Sequence, residues 1–168
     1  MTRKPTVSKG KRRSAARLAA VQALYQLEVA GGVAESVVGE FNRYRFGGEL
    51  DGQQLVEADP ALFGELVLGV TQRREEIDAQ LESVLQGEWD FSSLELLIRE
   101  ILRAGAFEIL MRPDIDPPLS ISEYVDVTKA FFEKREPALV NGILDRLARE
   151  ARSGEMGDRS RGRTTEAQ

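Results

Sequence analysis

The cationic side chains near the amino terminus have the clearest chemistry in the sequence. Arg13 and Arg17 are four residues apart, so in a helix they share a face and could contact successive phosphates. Arginine also makes planar, bidentate contacts to phosphate that lysine cannot make. Lys11 and Arg12 directly precede the pair. The spacing indicates a polyanion-binding site at the start of a helix.

The charge distribution supports the same interpretation. Seven Lys and Arg residues and no acid lie in the first 27 residues, so this arm carries +7 and the remaining chain −12 of a net charge of −5. A basic arm on an acidic body is typical of polyanion-binding proteins. A solvated, disordered leader is the alternative. A membrane-surface role fits less well, because no apolar cluster precedes Leu18.

Polar and aromatic residues further along the chain could contact nucleic-acid bases. Gln22 can read base edges, whereas Tyr25 lies on the apolar stripe of its helix and is assigned to the core. Lys129 precedes the adjacent aromatics Phe131 and Phe132, which cannot both face one core. An exposed ring there would stack on bases of single-stranded RNA. Alternatively, both rings cover the end of a helical bundle.

The composition argues against catalysis. The chain has no cysteine and no histidine, which removes disulfides, thiolate chemistry, the commonest general base and the commonest metal ligand. We find no phosphate-binding glycine loop and no nucleophile elbow. The sequence therefore predicts no catalytic residue, no metal and no cofactor. It also has no signal peptide or bilayer-spanning run, so a cytoplasmic location is expected.

Apolar periodicity predicts an all-α fold of six to seven amphipathic helices, packed as two small bundles. The expected organisation is a disordered basic arm (1–11), a helical domain (12–151) with bundles at about 12–86 and 90–151, and a disordered tail (152–168). Residues 46–57 are expected to form a loop, and Trp89 is assigned to the core or to an anchor between bundles.

Local signals predict where the helices begin and end. The expected boundaries are a first helix from Arg12 or Ser14 to about Ala30, a start at Asp59-Pro60 with a break near Gln72, capping boxes at 92–95 and 120–123, and Pro137 in the first turn of the last helix. Asn141-Gly142 falls inside that last helix, where glycine costs about 1 kcal/mol relative to alanine. We assign this pair to close helix packing rather than to RNA contact.

Three segments together resemble the NusB family. They are residues 17–25 (RLAAVQALY), 98–109 (IREILRAGAFEI) and 140–146 (VNGILDR), which are similar to the family patterns in order and spacing. The resemblance extends from about residue 11 to residue 150. It implies two packed three-helix bundles that bind the boxA element of nascent ribosomal RNA transcripts together with NusE, a small-subunit ribosomal protein.

The resemblance also implies a mechanism without covalent chemistry, in which the RNA-bound pair joins an antitermination complex on RNA polymerase. A homodimer is compatible with it. Residue by residue, it places Arg13, Arg17 and Gln22 at an RNA-binding helix start, and Arg103 with Lys129–Phe131 along the same RNA groove. The full predicted RNA-binding set is Lys11, Arg12, Arg13, Arg17, Gln22, Arg103, Lys129 and Phe131.

This sequence departs from the family pattern at two places. Ser14-Ala15-Ala16 interrupts the arginine run, so Lys11 and Arg12 are expected to take over phosphate contacts. Leu139 stands where the family often has phenylalanine, which puts a stacking contact there in doubt. Two other functions stay open: a helical protein–protein module without specific RNA binding, and a relative of the RNA-binding domain of ribosomal RNA cytosine methyltransferases. The catalytic cysteine that such enzymes need is absent.

Overall fold

The computed structural model describes residues 7–44, 49–50, 53–54, 57–85, 87 and 90–152. The α-helices of this part of the chain are α1 (Lys9–Ala30), α2 (Ala34–Tyr44), α3 (Pro60–Gln72), α4 (Arg74–Leu85), α5 (Leu96–Met111), α6 (Pro117–Phe131) and α7 (Glu136–Ala151). Two short strands, β1 (Glu49–Leu50) and β2 (Gln53–Gln54), pair antiparallel. The predicted all-α fold class is confirmed, with this strand pair inside the segment that we expected to be entirely loop.

Helix α1 begins at Lys9, three residues before Arg12 and five before Ser14, the two starts that the sequence predicted. The Ser8 side chain accepts a hydrogen bond from the Lys11 backbone N–H at 3.3 Å, so the cap lies before Gly10 rather than after it. The helix ends at Gly31, whose φ of 74° favours glycine and whose N–H donates to the Leu27 carbonyl oxygen. Lys9 to Lys11 are therefore helical, whereas the predicted disorder at 1–6 and 153–168 falls outside the described residues.

The start of α3 and its separation from α4 are confirmed. One carboxylate oxygen of Asp59 accepts the backbone N–H groups of Ala61 at 3.0 Å and Leu62 at 3.1 Å, with Pro60 at the first helical position. The chain breaks at Arg73, one residue after the predicted position.

The two predicted capping boxes do not form. Asp90 instead caps a 3₁₀ helix (Phe91–Ser93) by accepting the Ser92 N–H, and α5 begins only at Leu96. Helix α6 already begins at Pro117, because proline fits a first helical turn. Ser120 is therefore buried inside this helix and caps nothing.

The chain divides into two compact units, Met1–Arg74 and Glu75–Gln168. In the first unit, α1 and α2 pack against α3 and against each other. The rings of Phe41 and Phe63 stack in its core with centroids 5.2 Å apart. Helix α1 is thus held in place by α2 and α3.

The second unit is built on α5, α6 and α7, which pack pairwise. Helix α4 is tied to α7 because the Arg146 guanidinium donates to the Val84 carbonyl oxygen at 3.1 Å. The division between the units falls between Arg74 and Glu75, whereas the sequence placed the end of the first bundle near residue 86.

Close helix packing in the second unit occurs at Gly105 and not at Gly142. A Cβ atom on Gly105 would lie 2.8 Å from a methyl group of Leu144 and 3.3 Å from the Tyr124 ring. Gly142 is exposed, and a Cβ atom there would meet nothing within 4 Å. The packing role assigned to Asn141-Gly142 was wrong, whereas Gly105 brings α5 against both neighbouring helices. Trp89 lies outside the described residues.

Candidate nucleic-acid interface

The first turns of α1 carry a concentrated positive charge. Lys9 and Lys11 are exposed, Arg12 and Arg13 are half-buried, and the first turn contains no acid. The partial positive charge of a helix amino terminus adds to these cations. This end of α1 therefore favours binding of an anion.

The arginines at this end are held by two helices of the first unit. The backbone N–H of Asp59, which caps α3, donates to the Arg12 carbonyl oxygen at 3.0 Å. The start of α3 is thus attached to the beginning of α1. Arg12 and Arg13 consequently project from fixed backbone positions, which lowers the entropy cost of binding a ligand.

The guanidinium groups of Arg12 and Arg13 have unused hydrogen-bonding capacity. The Nε atom of each is buried and has no hydrogen-bond partner in the described part of the chain. A buried donor without an acceptor costs about 1–3 kcal/mol. A phosphate oxygen is the type of acceptor that would satisfy such a donor.

Arg17 differs in environment from the arginines that precede it. Only 2% of its surface is exposed, and it lies on the side of α1 that also buries Leu24, seven residues further on. Arg17 shares a face with Arg13. It lies one turn further along α1, however, where that face packs into the core of the first unit. RNA contact by Arg17 stays a prediction, and its burial argues against it.

The opposite face of α1 presents Lys11, Gln22 and Tyr25 to solvent. Gln22 is exposed, as a base-reading role requires. Tyr25 is 41% exposed, so its assignment to the core was wrong. The buried stripe passes through Ala20 and Leu24, and Tyr25 lies about 100° further round the helix. An exposed phenol ring on this face is able to stack on a base.

In the second unit, the end of α6 presents a cation and an aromatic ring. Lys129 is exposed and Phe131 is 38% exposed. The adjacent Phe132 is less exposed, because it is half-buried. One of the two rings is therefore available for stacking, the first of the two alternatives that the sequence left open. Leu139 is half-buried in α7.

Arg103 lies in the interior of the second unit. Its guanidinium donates to both carboxylate oxygens of Asp78, at 2.8 and 3.0 Å, and to Glu100 at 2.7 Å. It also lies over the Phe91 ring at 5.3 Å, and 3% of its surface is exposed. These contacts give Arg103 a structural role, because its guanidinium links Asp78 of α4 to Glu100 of α5. RNA contact by Arg103 stays a prediction that the geometry does not favour.

The predicted RNA-binding residues thus separate into three sets. Lys11, Arg12, Arg13 and Gln22 share α1 of the first unit, and Lys129 and Phe131 share the end of α6 in the second. Arg17 and Arg103 are buried. Among the described residues there is no group of three or more acids that could hold a metal ion, and no helix has the length and apolar character to cross a membrane.

Sequence comparison places the chain among known proteins. The model of the NusB family matches residues 14–149. A transcription antitermination protein NusB from Agrobacterium fabrum is 46% identical over 150 residues, covering 89% of this chain and 91% of that protein. Its counterpart from Sinorhizobium medicae is 47% identical over 140 residues, covering 83% and 88%.

Solved structures of NusB proteins have the same fold as this chain. The NusB structure from T. maritima superposes with a TM-score of 0.69 at 25% identity, covering 93% of this chain and 99% of that chain. A structure of NusB and NusE in complex with double-stranded RNA superposes with a TM-score of 0.68 at 21% identity, covering 83% and 98%, and so has the same fold. The family model and the relatives both extend over most of the sequence, and the chain belongs to the NusB family.

Proposed function

We propose that this protein is a transcription antitermination factor that binds boxA-type single-stranded RNA of nascent ribosomal RNA transcripts together with NusE, within a complex on RNA polymerase. The observation that carries the proposal is the pair Arg12 and Arg13, whose Nε donors are buried without acceptors at a cationic helix start. Relatives named as antitermination proteins support it. The action is binding without covalent chemistry, in the cytoplasm where transcripts are made.

Each of the α1 residues assigned to RNA has a distinct role in this proposal. Lys11, Arg12 and Arg13 contact phosphates and supply affinity that depends on salt. Gln22 hydrogen-bonds to base edges, and Tyr25 stacks on a base. Lys129 and Phe131 give a second contact of the same kind from their own unit.

The phosphate contacts predict a loss of RNA affinity in the double variant Arg12→Ala/Arg13→Ala. Each lost charge-assisted hydrogen bond is worth about 1.5–3 kcal/mol, so we expect at least about tenfold weaker binding. The slope of log Kd against log salt should become shallower by about 1.4, since each phosphate contact on a single strand contributes about 0.7. Fluorescence anisotropy with a labelled boxA-type RNA and a scrambled RNA, across salt concentrations, measures both quantities.

The matched control is Arg43→Ala/Arg73→Ala, which removes two exposed cations of the same unit outside α1. It should change the salt slope little. Equal affinity of the wild-type protein for the two RNAs would contradict boxA-selective binding. A double variant that binds like the wild type would contradict the role of the helix start. NusE added to the wild-type protein should strengthen binding of the boxA-type RNA.

The stacking role predicts a different signature for Tyr25. Tyr25→Ala should weaken RNA binding by about 5- to 150-fold, because stacking on an aromatic side chain is worth about 1–3 kcal/mol per base. The salt slope should stay constant, since no charge is removed. Tyr25→Phe should bind nearly as well as the wild type in the same assay. Equal losses in both variants would show that the ring does not stack.

A further inference from the structure

A groove between α6 and α7 of the second unit is not used by the RNA-binding face of α1. It has a volume of about 320 Å³, and on α6 its lining extends from Pro118 to Lys129. Ile121 and Val125, one turn apart on this helix, supply apolar surface. A groove of this size holds a few side chains of an extended segment rather than a whole helix.

The charged groups of the groove favour a cationic occupant. Asp126 contributes a carboxylate from α6, and Asp145 contributes a second one from α7, beside the amide of Asn141. Asp126 has no hydrogen bond or ion pair with another described residue. Asp145 is paired with Arg149 at 2.9 Å, and this pair is solvent-exposed and therefore weak. Lys129 is the single cation among the described lining residues, so the groove carries a net negative charge.

The end of α7 lies beside the start of α6. The Arg152 guanidinium donates to the carbonyl oxygens of Ile115 at 3.0 Å and Pro113 at 3.1 Å, in the loop that leads into α6. The chain therefore leaves α7 close to Pro118, at one end of the groove. Leu119, which is 48% exposed, adds apolar surface at this point.

The sequence that follows Arg152 carries side chains complementary to this surface, in the matching order. Met156 comes first and suits the exposed leucine at the start of α6. A run of three arginines without an acid follows, namely Arg159, Arg161 and Arg163. This run suits the carboxylates that lie further along the groove.

The spacing of these side chains also matches the groove. An extended chain advances about 10 Å from Met156 to Arg159 and about 17 Å to Arg161. Helix α6 advances about 12 Å from Pro118 to Asp126. A segment that begins at the end of α7 and follows α6 thus brings its arginines to the carboxylates.

We propose that residues 156–163, the basic tail, dock in the α6–α7 groove of their own chain, with the arginines on Asp126 and Asp145. Arginine buries its aliphatic stem against apolar surface while its charged head stays on polar groups, and Ile121 with Val125 would supply that surface. Because the tail is tethered at Arg152, its effective concentration at the groove is in the millimolar range, and exposed ion pairs suffice to hold it. A docked tail closes the groove to cationic side chains of other proteins, so the contact is autoinhibitory. This inference goes beyond the proposed function and does not depend on it.

The test is disulfide cross-linking in the full chain, which has no cysteine of its own. Ser122→Cys in the groove is combined with Ser160→Cys, between two tail arginines. Docking brings the two Cα atoms near the separation that a disulfide needs, about 4.4–6.8 Å. We expect the intramolecular disulfide to form at least about tenfold faster than in a control pair, measured by mass spectrometry during mild oxidation.

The matched control pair is Ser83→Cys/Ser160→Cys, because Ser83 is an exposed serine of the same unit that does not line the groove. It is within reach of the tail. The neighbouring Val84 carbonyl oxygen is bonded to Arg146, which lies only about 9 Å before Arg152 along α7. Equal cross-linking rates in the two pairs would overturn the proposal, since an undocked tail would sample both positions.

Charge reversal tests which groups hold the tail. In the Ser122→Cys/Ser160→Cys protein, Asp126→Lys should slow cross-linking to near the control rate, because it opposes like charges. Reversing the tail as well should restore the fast rate, with the substitutions Arg159→Glu, Arg161→Glu and Arg163→Glu. Asp126 is exposed, so Asp126→Lys should keep the wild-type melting temperature. An unchanged rate in Asp126→Lys would overturn the proposal.

RNA is the other anionic surface that the tail arginines could contact. Replacing the three with glutamine should leave the affinity for boxA-type RNA within about twofold of the wild type, since docked arginines are not available to phosphates. A large loss of RNA affinity in this variant, together with equal cross-linking in the two cysteine pairs, would overturn the proposal and assign the tail to RNA.

Discussion

Replacing Arg103 with alanine should lower the free energy of unfolding by about 3–5 kcal/mol, because it leaves the buried Glu100 and the half-buried Asp78 without their cation. Arg103 and Glu100 are each about 3% exposed, and the guanidinium makes three hydrogen bonds to Asp78 and Glu100. Domains have a total stability of about 5–15 kcal/mol, so this loss is a large fraction of it. Urea unfolding followed by far-UV circular dichroism measures the change.

Two further variants separate the charge of Arg103 from its geometry. Arg103→Lys keeps the charge but not the planar contact to both oxygens of Asp78, and should recover only part of the loss. Glu28→Ala removes the partner of Arg74 in an exposed ion pair and should cost about 0–1 kcal/mol. An Arg103→Ala protein with wild-type stability and weakened RNA binding would contradict the structural role and support the RNA contact that the family resemblance implies.

The contrast between Arg103 and Arg13 shows what sequence could predict about the interface. A helical spacing of four correctly places residues on one side of a helix. It does not say whether that side faces solvent, which depends on what packs against it. Arg13 lies in the first turns of α1 and keeps solvent contact, whereas Arg17, one turn later, is covered by the core of the first unit. Tyr25 shows the reverse error, since an aromatic residue beside an apolar stripe proved to be exposed.

The helices were predictable where one local signal governs them. Asp59-Pro60 begins α3 as expected, because a capping carboxylate followed by proline at the first helical position is a specific signal for a helix start. The helix start predicted from the capping-box pattern at Ser120 was wrong, because α6 begins earlier, at Pro117. The Ser120 hydroxyl has a partner far away in sequence, which a local pattern does not show. That partner is Glu108, twelve residues away on α5. The packing role of Gly105 was missed for the same reason.

Glu108 is expected to be as sensitive as Arg103. Its side chain is fully buried, and its two carboxyl oxygens accept hydrogen bonds from the hydroxyl groups of Ser120 at 3.0 Å and Tyr124 at 2.8 Å. Glu108→Ala leaves two buried hydroxyl groups without this acceptor, at about 1–3 kcal/mol each, and opens a cavity between α5 and α6. The free energy of unfolding should fall by about 3–5 kcal/mol, and Tyr124→Phe alone should cost about 1–3 kcal/mol.

Removing all the polar groups together tests the physical reason for that loss. If the penalty arises from unsatisfied hydroxyl groups, then the triple variant Glu108→Leu/Ser120→Ala/Tyr124→Phe should be more stable than Glu108→Ala, because apolar groups of similar shape need no partner. Urea unfolding of the single and triple variants gives the comparison. A triple variant less stable than Glu108→Ala would contradict this explanation. It would show that the remaining polar groups still stabilise the fold after Glu108 is removed. RNA affinity of the folded triple variant should match the wild type, since none of the three side chains lies on the exposed face of α1.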